Sequence, residues 1–408
     1  MTRHLTTRST DVGPVVEHEL ARTGGLLRLA PCWVPRRFVR PGQRLKLHPD
    51  DLYAFGLDRG GIDERWLGST VEAMNPGRRD DEGLSYAVIG DERLLLRDAV
   101  AECGAVLVGE ATWQRYGRWP VFSKFFDNQG PIPHHLHQDA AQAARVGREA
   151  KPEGYYFPAQ MNLRANDFPY TFFGLAPGTT KADVRRCLER WHDGDNGILD
   201  FSQASRLELG TGWLVPPRML HAPGSLCTYE PQWASDVKSM YQSLVDGQAV
   251  PRDLLVQDVP PEHHDDLDYL VEQLDWELNL DPTFRERHLL RPRVAREGTG
   301  FVDRWVVYGR FLEGDLFSAK ELSLEPGATC TVRDASAWTL VCVQGTGTIN
   351  GEPISSPSML RVNELSDDEW FCSESGARQG VTFTNTSRTE PLVTLRCFGP
   401  GGQATFDV

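Results

Sequence analysis

The chain has 408 residues, 40% of them hydrophobic, and a formal net charge of -14. At about 150 residues per domain this length suits two or three packed domains, and the acidic balance argues against nucleic acid or an anionic membrane as the main partner. With 38 glycines, 27 prolines and 11 tryptophans among many short apolar runs, the composition suits turn-rich β structure better than a helical bundle.

The N-terminal stretch Met1 to Arg8 is polar and lacks the apolar core of a secretion signal. No segment reaches the roughly 18 consecutive apolar residues of a membrane helix, so a cytoplasmic protein is the expectation. The cysteines are scattered without a Cys-x-x-Cys pair, which predicts reduced, buried thiols. Up to Arg118 the runs Leu26-Leu27, Val88-Ile89, Leu94-Leu95-Leu96 and Val106-Leu107-Val108 are predicted to be strands between loops. His48-Pro49-Asp50-Asp51 reads as a helix cap or turn.

The next stretch, from Trp119 to about Val245, carries the chemistry. His135-Leu136-His137 places two imidazoles on one face of a strand, and alternation turns His134 to the other face, where packing is its expected role. Glu153 precedes the aromatic run Tyr155-Tyr156-Phe157, which suits a neighbouring strand. His221 follows Trp213-Leu214-Val215-Pro216, which suits another. These strands are expected to converge on one divalent ion held by His135, His137, Glu153 and His221. Nitrogen and carboxylate donors together favour zinc, with manganese and iron as alternatives, and leave positions open for water or substrate. Between these segments, Val184, Cys187, Leu188 and Trp191 form a helical stripe, with Thr180 and Asp183 spaced as an N-terminal cap.

From Pro260 to Leu278 the spacing of Leu267, Leu270, Val271 and Leu274 predicts a helix, with His263-His264-Asp265-Asp266 at its cap. The block from Phe301 to Val408 is rich in strand signals, among them Trp305-Val306-Val307-Tyr308, Trp338 to Val343 and Leu392 to Leu395. Turns such as Gln344-Gly345-Thr346-Gly347 and Asn350-Gly351 separate them, the pattern of a jelly-roll barrel. It holds no histidine after His288, so it cannot carry a second copy of the same site.

Taken in order, several segments resemble the cupins and, among them, type I mannose-6-phosphate isomerases. Glu64-Arg65-Trp66-Leu67-Gly68 is similar to that family's Glu-x-Trp-x-Gly, and Trp119-Pro120-Val121-Phe122-Ser123-Lys124 to its Leu-Pro-Phe-x-x-Lys. His135-Leu136-His137 falls where the family has Gln-x-His, and Lys151-Pro152-Glu153 matches its Lys-Pro-Glu. Gly212 to Ala222 is similar to the stretch ending in Val-Pro-Ala-Gly-x-x-His-Ala. The resemblance implies a mainly β fold of two jelly-roll (cupin) barrels with a few short helices. Residues 1–118 would complete the first barrel around a metal-binding core at 119–250, which carries the helical insertion near 180–191. A helical linker at 251–300 would then lead to a degenerate, metal-free barrel at 301–408.

The implied reaction is aldose–ketose isomerisation of a small-molecule sugar through an enediol. Lys124 and Lys151 resemble pocket lysines that orient oxygens or relay protons if burial and a nearby cation lower their pKa, and Glu230 resembles a pocket glutamate able to act as base. Lys238, Tyr155 and Arg218 are the expected substrate contacts. The departures bear on the substrate. Pro133 stands where the family has a phosphate-holding serine, and no arginine follows Ala234-Ser235-Asp236, only Lys238. Both changes weaken anion recognition, which favours an unphosphorylated or modified sugar. Because His135 replaces glutamine, the donors become three histidines and a carboxylate, a set also found in cupin oxygenases. An iron-dependent cupin dioxygenase and a non-catalytic sugar-binding bicupin therefore stay open as readings.

Overall fold

A computed structural model of the chain describes residues 12–162, 169–311 and 313–404. The structure is mainly β and is built around two sheet-on-sheet barrels. In the first, a seven-stranded antiparallel sheet runs Leu289–Leu290, Gly212–Val215, Glu153–Tyr156, Thr228–Trp233, Val121–Phe126, Gly61–Leu67, Cys32–Arg36. A five-stranded sheet lies opposite, in the order Ser202–Arg206, Tyr170–Leu175, His221–Ala222, His135–Leu136, Ser239–Met240. The second barrel pairs a nine-stranded sheet with the four strands Thr329–Val332, Val381–Asn385, Thr346–Ile349 and Glu352–Ser355.

Alternation along the central strands explains why polar groups reach the first barrel's interior while its outside stays apolar. On Val121–Phe126, Val121 and Phe125 join Tyr229 and Trp233 of the adjacent strand in one core with Val306, Val341, Phe371 and Leu395 of the nine-stranded sheet. Phe122, Lys124 and Phe126 turn the other way. Both faces of the strand are covered, so all six residues are buried. Each large apolar side chain so buried contributes about 1.5–3 kcal/mol, which helps to offset keeping charged groups inside.

The Gly of Glu64-x-Trp66-x-Gly68 has a direct cause. Gly68 ends the Gly61–Leu67 strand at φ 61, and a Cβ there would meet Thr339 Cγ2 at 2.1 Å. Its N–H donates to Glu369 Oε1 at 3.2 Å, tying the first barrel to the second. Nearby, Arg65 pairs with Asp368 at 2.8 Å and Glu369 at 3.2 Å in the same buried seam.

The expectations for the flanking regions need correction. Residues 1–118 do not all complete the first barrel. Cys32–Arg36 and Gly61–Leu67 do, but Leu26–Ala30, Tyr86–Ile89 and Glu92–Leu95 extend the nine-stranded sheet, Leu26 pairing with Cys372. The chain changes sheets at Pro31, which has no N–H to give to either ladder. The strand expected at Leu94-Leu95-Leu96 is present as Glu92–Leu95 but ends before Leu96, and Val106-Leu107-Val108 belongs not to a strand but to the helix Leu96–Val108. Its buried positions Leu96, Ala99, Val100, Cys103 and Leu107 follow the helical period, which outweighs the short apolar runs. Residues 251–300 contain only short helices, Leu267–Glu272, Trp276–Asn279 and Phe284–His288 among them, and end in the strand Arg293–Gly298 at the edge of the nine-stranded sheet. Asp266 and Asp275 each cap a new helix, which breaks the long helix that the leucine spacing predicts.

Other local readings match the structure. Thr180 and Asp183 form a reciprocal capping box on Lys181–Glu189. His48 caps a short turn of helix through the Asp50 N–H. All eight cysteines are free and buried, and no described helix is long and apolar enough to cross a membrane.

Candidate metal centre and its pocket

The two sheets of the first barrel bring their chemistry together from opposite sides. His135 and His137 come from the short strand His135–Leu136 and the residue after it. His221 lies on the neighbouring strand, in register with His135. Glu153 reaches across from the seven-stranded sheet. The three histidine nitrogens lie within 4.8 Å of one another. His137 Nε2 stands 3.1 Å from Glu153 Oε2, and His221 Nε2 stands 3.1 Å from Glu153 Oε1.

The tautomers are fixed from behind. His135 Nδ1 meets the Pro133 carbonyl at 2.7 Å, His137 Nδ1 the Val237 carbonyl at 2.6 Å, and His221 Nδ1 the Met219 carbonyl at 2.8 Å. A carbonyl only accepts, so each Nδ1 carries the proton and each Nε2 is left with a lone pair; that of His137 accepts from Lys151 Nζ at 3.1 Å, while those of His135 and His221 face the centre. His221 Nε2 is fully buried and has no hydrogen-bond partner. It faces a carboxylate oxygen, acceptor against acceptor, and such an arrangement is stable only with a cation between them. The donor set of three imidazole nitrogens and one carboxylate therefore fits a divalent metal. Burial holds the His135 imidazole well below its usual range. Burial and then Lys151 hold His137 down to about 3, so both are neutral, as ligands must be. Tyr155 Oη donates to Glu153 Oε1 at 2.5 Å and orients that carboxylate.

Behind Glu153 runs a chain of alternating charge. Lys151 Nζ lies 3.0 Å from Glu153 Oε2 and 3.4 Å from Glu230 Oε1, and Lys124 Nζ lies 3.4 Å from the same Glu230 oxygen. Lys124 continues to Glu64 at 3.2 Å. Arg36 joins Glu64 at 3.1 Å and grips Asp236 with both terminal nitrogens, at 3.2 and 3.1 Å. Lys238 closes the chain at 3.5 Å from Asp236. All these side chains are buried and line one tight cavity of about 30 Å³. The register places them: Glu230 pairs with Lys124, and Gln232 with Glu153, in adjacent strands.

Within this chain the groups differ in proton affinity. Burial opposes the charge on Glu64, but Arg36 and Lys124 outweigh it and bring its carboxyl down to about 2. Burial, then the charge of Glu153, push Glu230 up to about 8. The expectation that Lys124 has a lowered pKa is corrected. Burial does act in that direction, but Glu230 and Glu64 on either side raise it, so Lys124 stays an ammonium.

The structure thus brings His135, His137, Glu153, Lys124, Lys151, Glu230, Lys238 and Tyr155 to one pocket, with His221 clustered against its histidines and Glu153. Arg218 stands apart. With φ 66, it turns its guanidinium away from the pocket onto the carbonyls of Glu272, Gln273 and Leu274 at 2.9–3.0 Å. Its expected contact with substrate is replaced by a role in holding the end of the Leu267–Glu272 helix. The sequence reading missed Arg36, Glu64 and Asp236 as pocket groups.

No family model and no curated protein sequence matches the chain. Solved structures do. Mannose 6-phosphate isomerase from Bacillus subtilis superposes with a TM-score of 0.60 at 15% identity, covering 91% of this chain and 99% of that one. The chain has the two-barrel fold of the phosphomannose isomerases. A zinc-bound mannose 6-phosphate isomerase gives 0.59 at 13% identity, covering 92% of this chain and 100% of the other. A variant of phosphomannose isomerase from Salmonella typhimurium gives 0.57 at 14%, with 92% and 100% covered. At these identities the likeness to phosphomannose isomerase structures establishes the fold.

Proposed function

We propose that the protein is a metal-dependent aldose–ketose isomerase acting on an unphosphorylated sugar. The observation that carries this reading is Glu230, a buried carboxylate set between Lys124 and Lys151 beside the metal ligands. An isomerase needs a group that takes a proton from C2 of an aldose and a path returning one to C1, while the hydroxyl proton passes from O2 to O1. A divalent cation on His135, His137, His221 and Glu153, zinc as first choice, supplies Lewis acidity toward the carbonyl and adjacent hydroxyl. Glu230 takes and returns the carbon-bound proton. Lys151, which touches both Glu153 and Glu230, donates to the sugar oxygens as charge develops on them. Tyr155 holds Glu153 in place.

The charge balance supports a neutral substrate. Each of Arg36, Lys124, Lys151 and Lys238 already faces at least one of the carboxylates Glu64, Glu153, Glu230 and Asp236. A phosphate dianion would have to displace a buried carboxylate from its cation. Three histidines and a carboxylate also suit iron, and dependence of turnover on oxygen separates that reading from isomerisation.

The test is incubation of the metal-loaded protein with free aldoses in D2O without oxygen. Deuterium entering at C1 or C2 supports the reading. Oxygen-dependent consumption of sugar with no exchange would replace it with the oxygenase.

A further inference from the structure

A groove of about 410 Å³ lies outside the metal pocket, within the range of ~300–1,000 Å³ usual for small-molecule sites. Its floor is the buried segment Ala234-Ser235-Asp236-Val237, of which Asp236 also lines the metal pocket. Arg97, Arg118 and Arg148 stand around it, in a chain whose net charge is -14. Glu72 lies 3.2 Å from Arg97 but is shared with Arg78, and Glu149 accepts from Arg118. Arg148 is exposed and makes no ion pair among the described residues.

The floor adds donors of its own. The Ser235 carbonyl accepts from Gln232 Nε2 at 2.8 Å and the Val237 carbonyl from His137 Nδ1 at 2.6 Å, but the N–H groups of Asp236 and Val237 meet no acceptor among the described residues. These two residues are only 8% and 1% exposed, and buried backbone donors are rarely left unpaired. Two successive N–H groups beside guanidinium forks make the donor set of an anion site. A phosphate, with three strong acceptor oxygens, can use both kinds of donor at once, where a carboxylate has one oxygen fewer.

We infer that this groove binds a phosphate group, free or as the phosphomonoester of a small molecule, at a site separate from the metal ligands. The assignment is independent of which reaction the metal centre performs. Its floor carries the Val237 carbonyl that holds His137 and the Asp236 carboxylate that Arg36 grips at 3.1 and 3.2 Å. A phosphate bonded to the Asp236 and Val237 N–H groups therefore touches the segment that orients both a metal ligand and the buried charge chain.

Arg148 gives a clean test, because it lines the groove, is exposed and does not line the metal pocket. Titration calorimetry of the metal-loaded protein at fixed ionic strength would compare inorganic phosphate, glycerol 3-phosphate and acetate. At least one of the two phosphates is expected to bind saturably and tenfold or more tighter than acetate. Arg148→Ala should weaken that binding tenfold or more at unchanged Tm and metal content. Arg388→Ala, which removes an exposed arginine that does not line the groove, should leave it within twofold. Tighter binding of glycerol 3-phosphate than of inorganic phosphate would support an ester as the ligand, and the reverse order the free anion. No saturable binding, acetate bound as tightly as either phosphate, an equal loss in Arg148→Ala and Arg388→Ala, or full affinity in Arg148→Ala, as for phosphate held on the metal, would overturn the inference.

Discussion

His221 and Glu153 face each other across 3.1 Å, Nε2 toward Oε1, while the His221 Nδ1 proton is held by the Met219 carbonyl. Two buried acceptors in that position repel unless a cation joins them. The relationship turns a His-x-His spacing into a metal centre, and it sets what removal of neighbouring groups should do.

Glu230→Gln keeps the volume of the side chain and removes its ability to take a proton. Isomerisation should fall about 10²–10⁴-fold in kcat, with bound metal unchanged by elemental analysis. Unchanged kcat would move the base elsewhere.

Lys124→Met leaves Glu64 and Glu230 with one cation fewer in a buried setting. Removing one partner of a buried ion pair costs about 3–5 kcal/mol, readable as a lower urea midpoint at unchanged slope. A variant as stable as the parent would show that Arg36 and Lys151 suffice.

Arg218→Ala tests a residue that sequence position places at the site and geometry places outside it. It should cost about 1–3 kcal/mol of stability through the lost bonds to three carbonyls. The KM for any turned-over sugar should stay within twofold. A large rise in KM at full stability would return Arg218 to the pocket.

Asp51 ties the first barrel's approach to the second, accepting from Arg361 at 2.7 and 2.8 Å and from the Val362 N–H at 3.0 Å. Burial opposes its charge, but these donors outweigh it and hold the carboxyl below its ordinary value. A depressed folded pKa means that the stabilisation is present above the unfolded value near 4 and fades as pH falls through that region. Asp51→Asn should therefore lower Tm at pH 7 and narrow its gap to the parent at pH 3. A gap independent of pH would contradict the assignment.

How much of this the sequence discloses follows from the range of each interaction. Period-two alternation placed His135 and His137 together and turned His134 away, and the strand contexts of Glu153 and His221 led to the same point. Lys124, Lys151 and Glu230 were legible only through the resemblance of their segments to the isomerase motifs, because a lone buried lysine or glutamate leaves no periodic signal of its own. Arg36 was not, because its partner Asp236 is 200 positions away and is brought to it only by the order of strands in the sheet. The missing arginine after Asp236 is thus supplied from another strand, but it arrives already paired with carboxylates. Arg218 misled because it is close in sequence to His221, while its left-handed backbone turns the side chain outward. In the fold, the departure of Leu26–Ala30 to the second barrel depends on pairing with residues near 370, which no local pattern records.

The central claim is that His135, His137, Glu153 and His221 hold one divalent ion. Metal content of the purified protein by inductively coupled plasma mass spectrometry, beside His137→Ala and His221→Ala, tests it most directly. The account predicts about one equivalent of metal in the parent, zinc first, and a loss of at least tenfold in affinity in each variant. Metal bound equally well by the parent and both variants would contradict it.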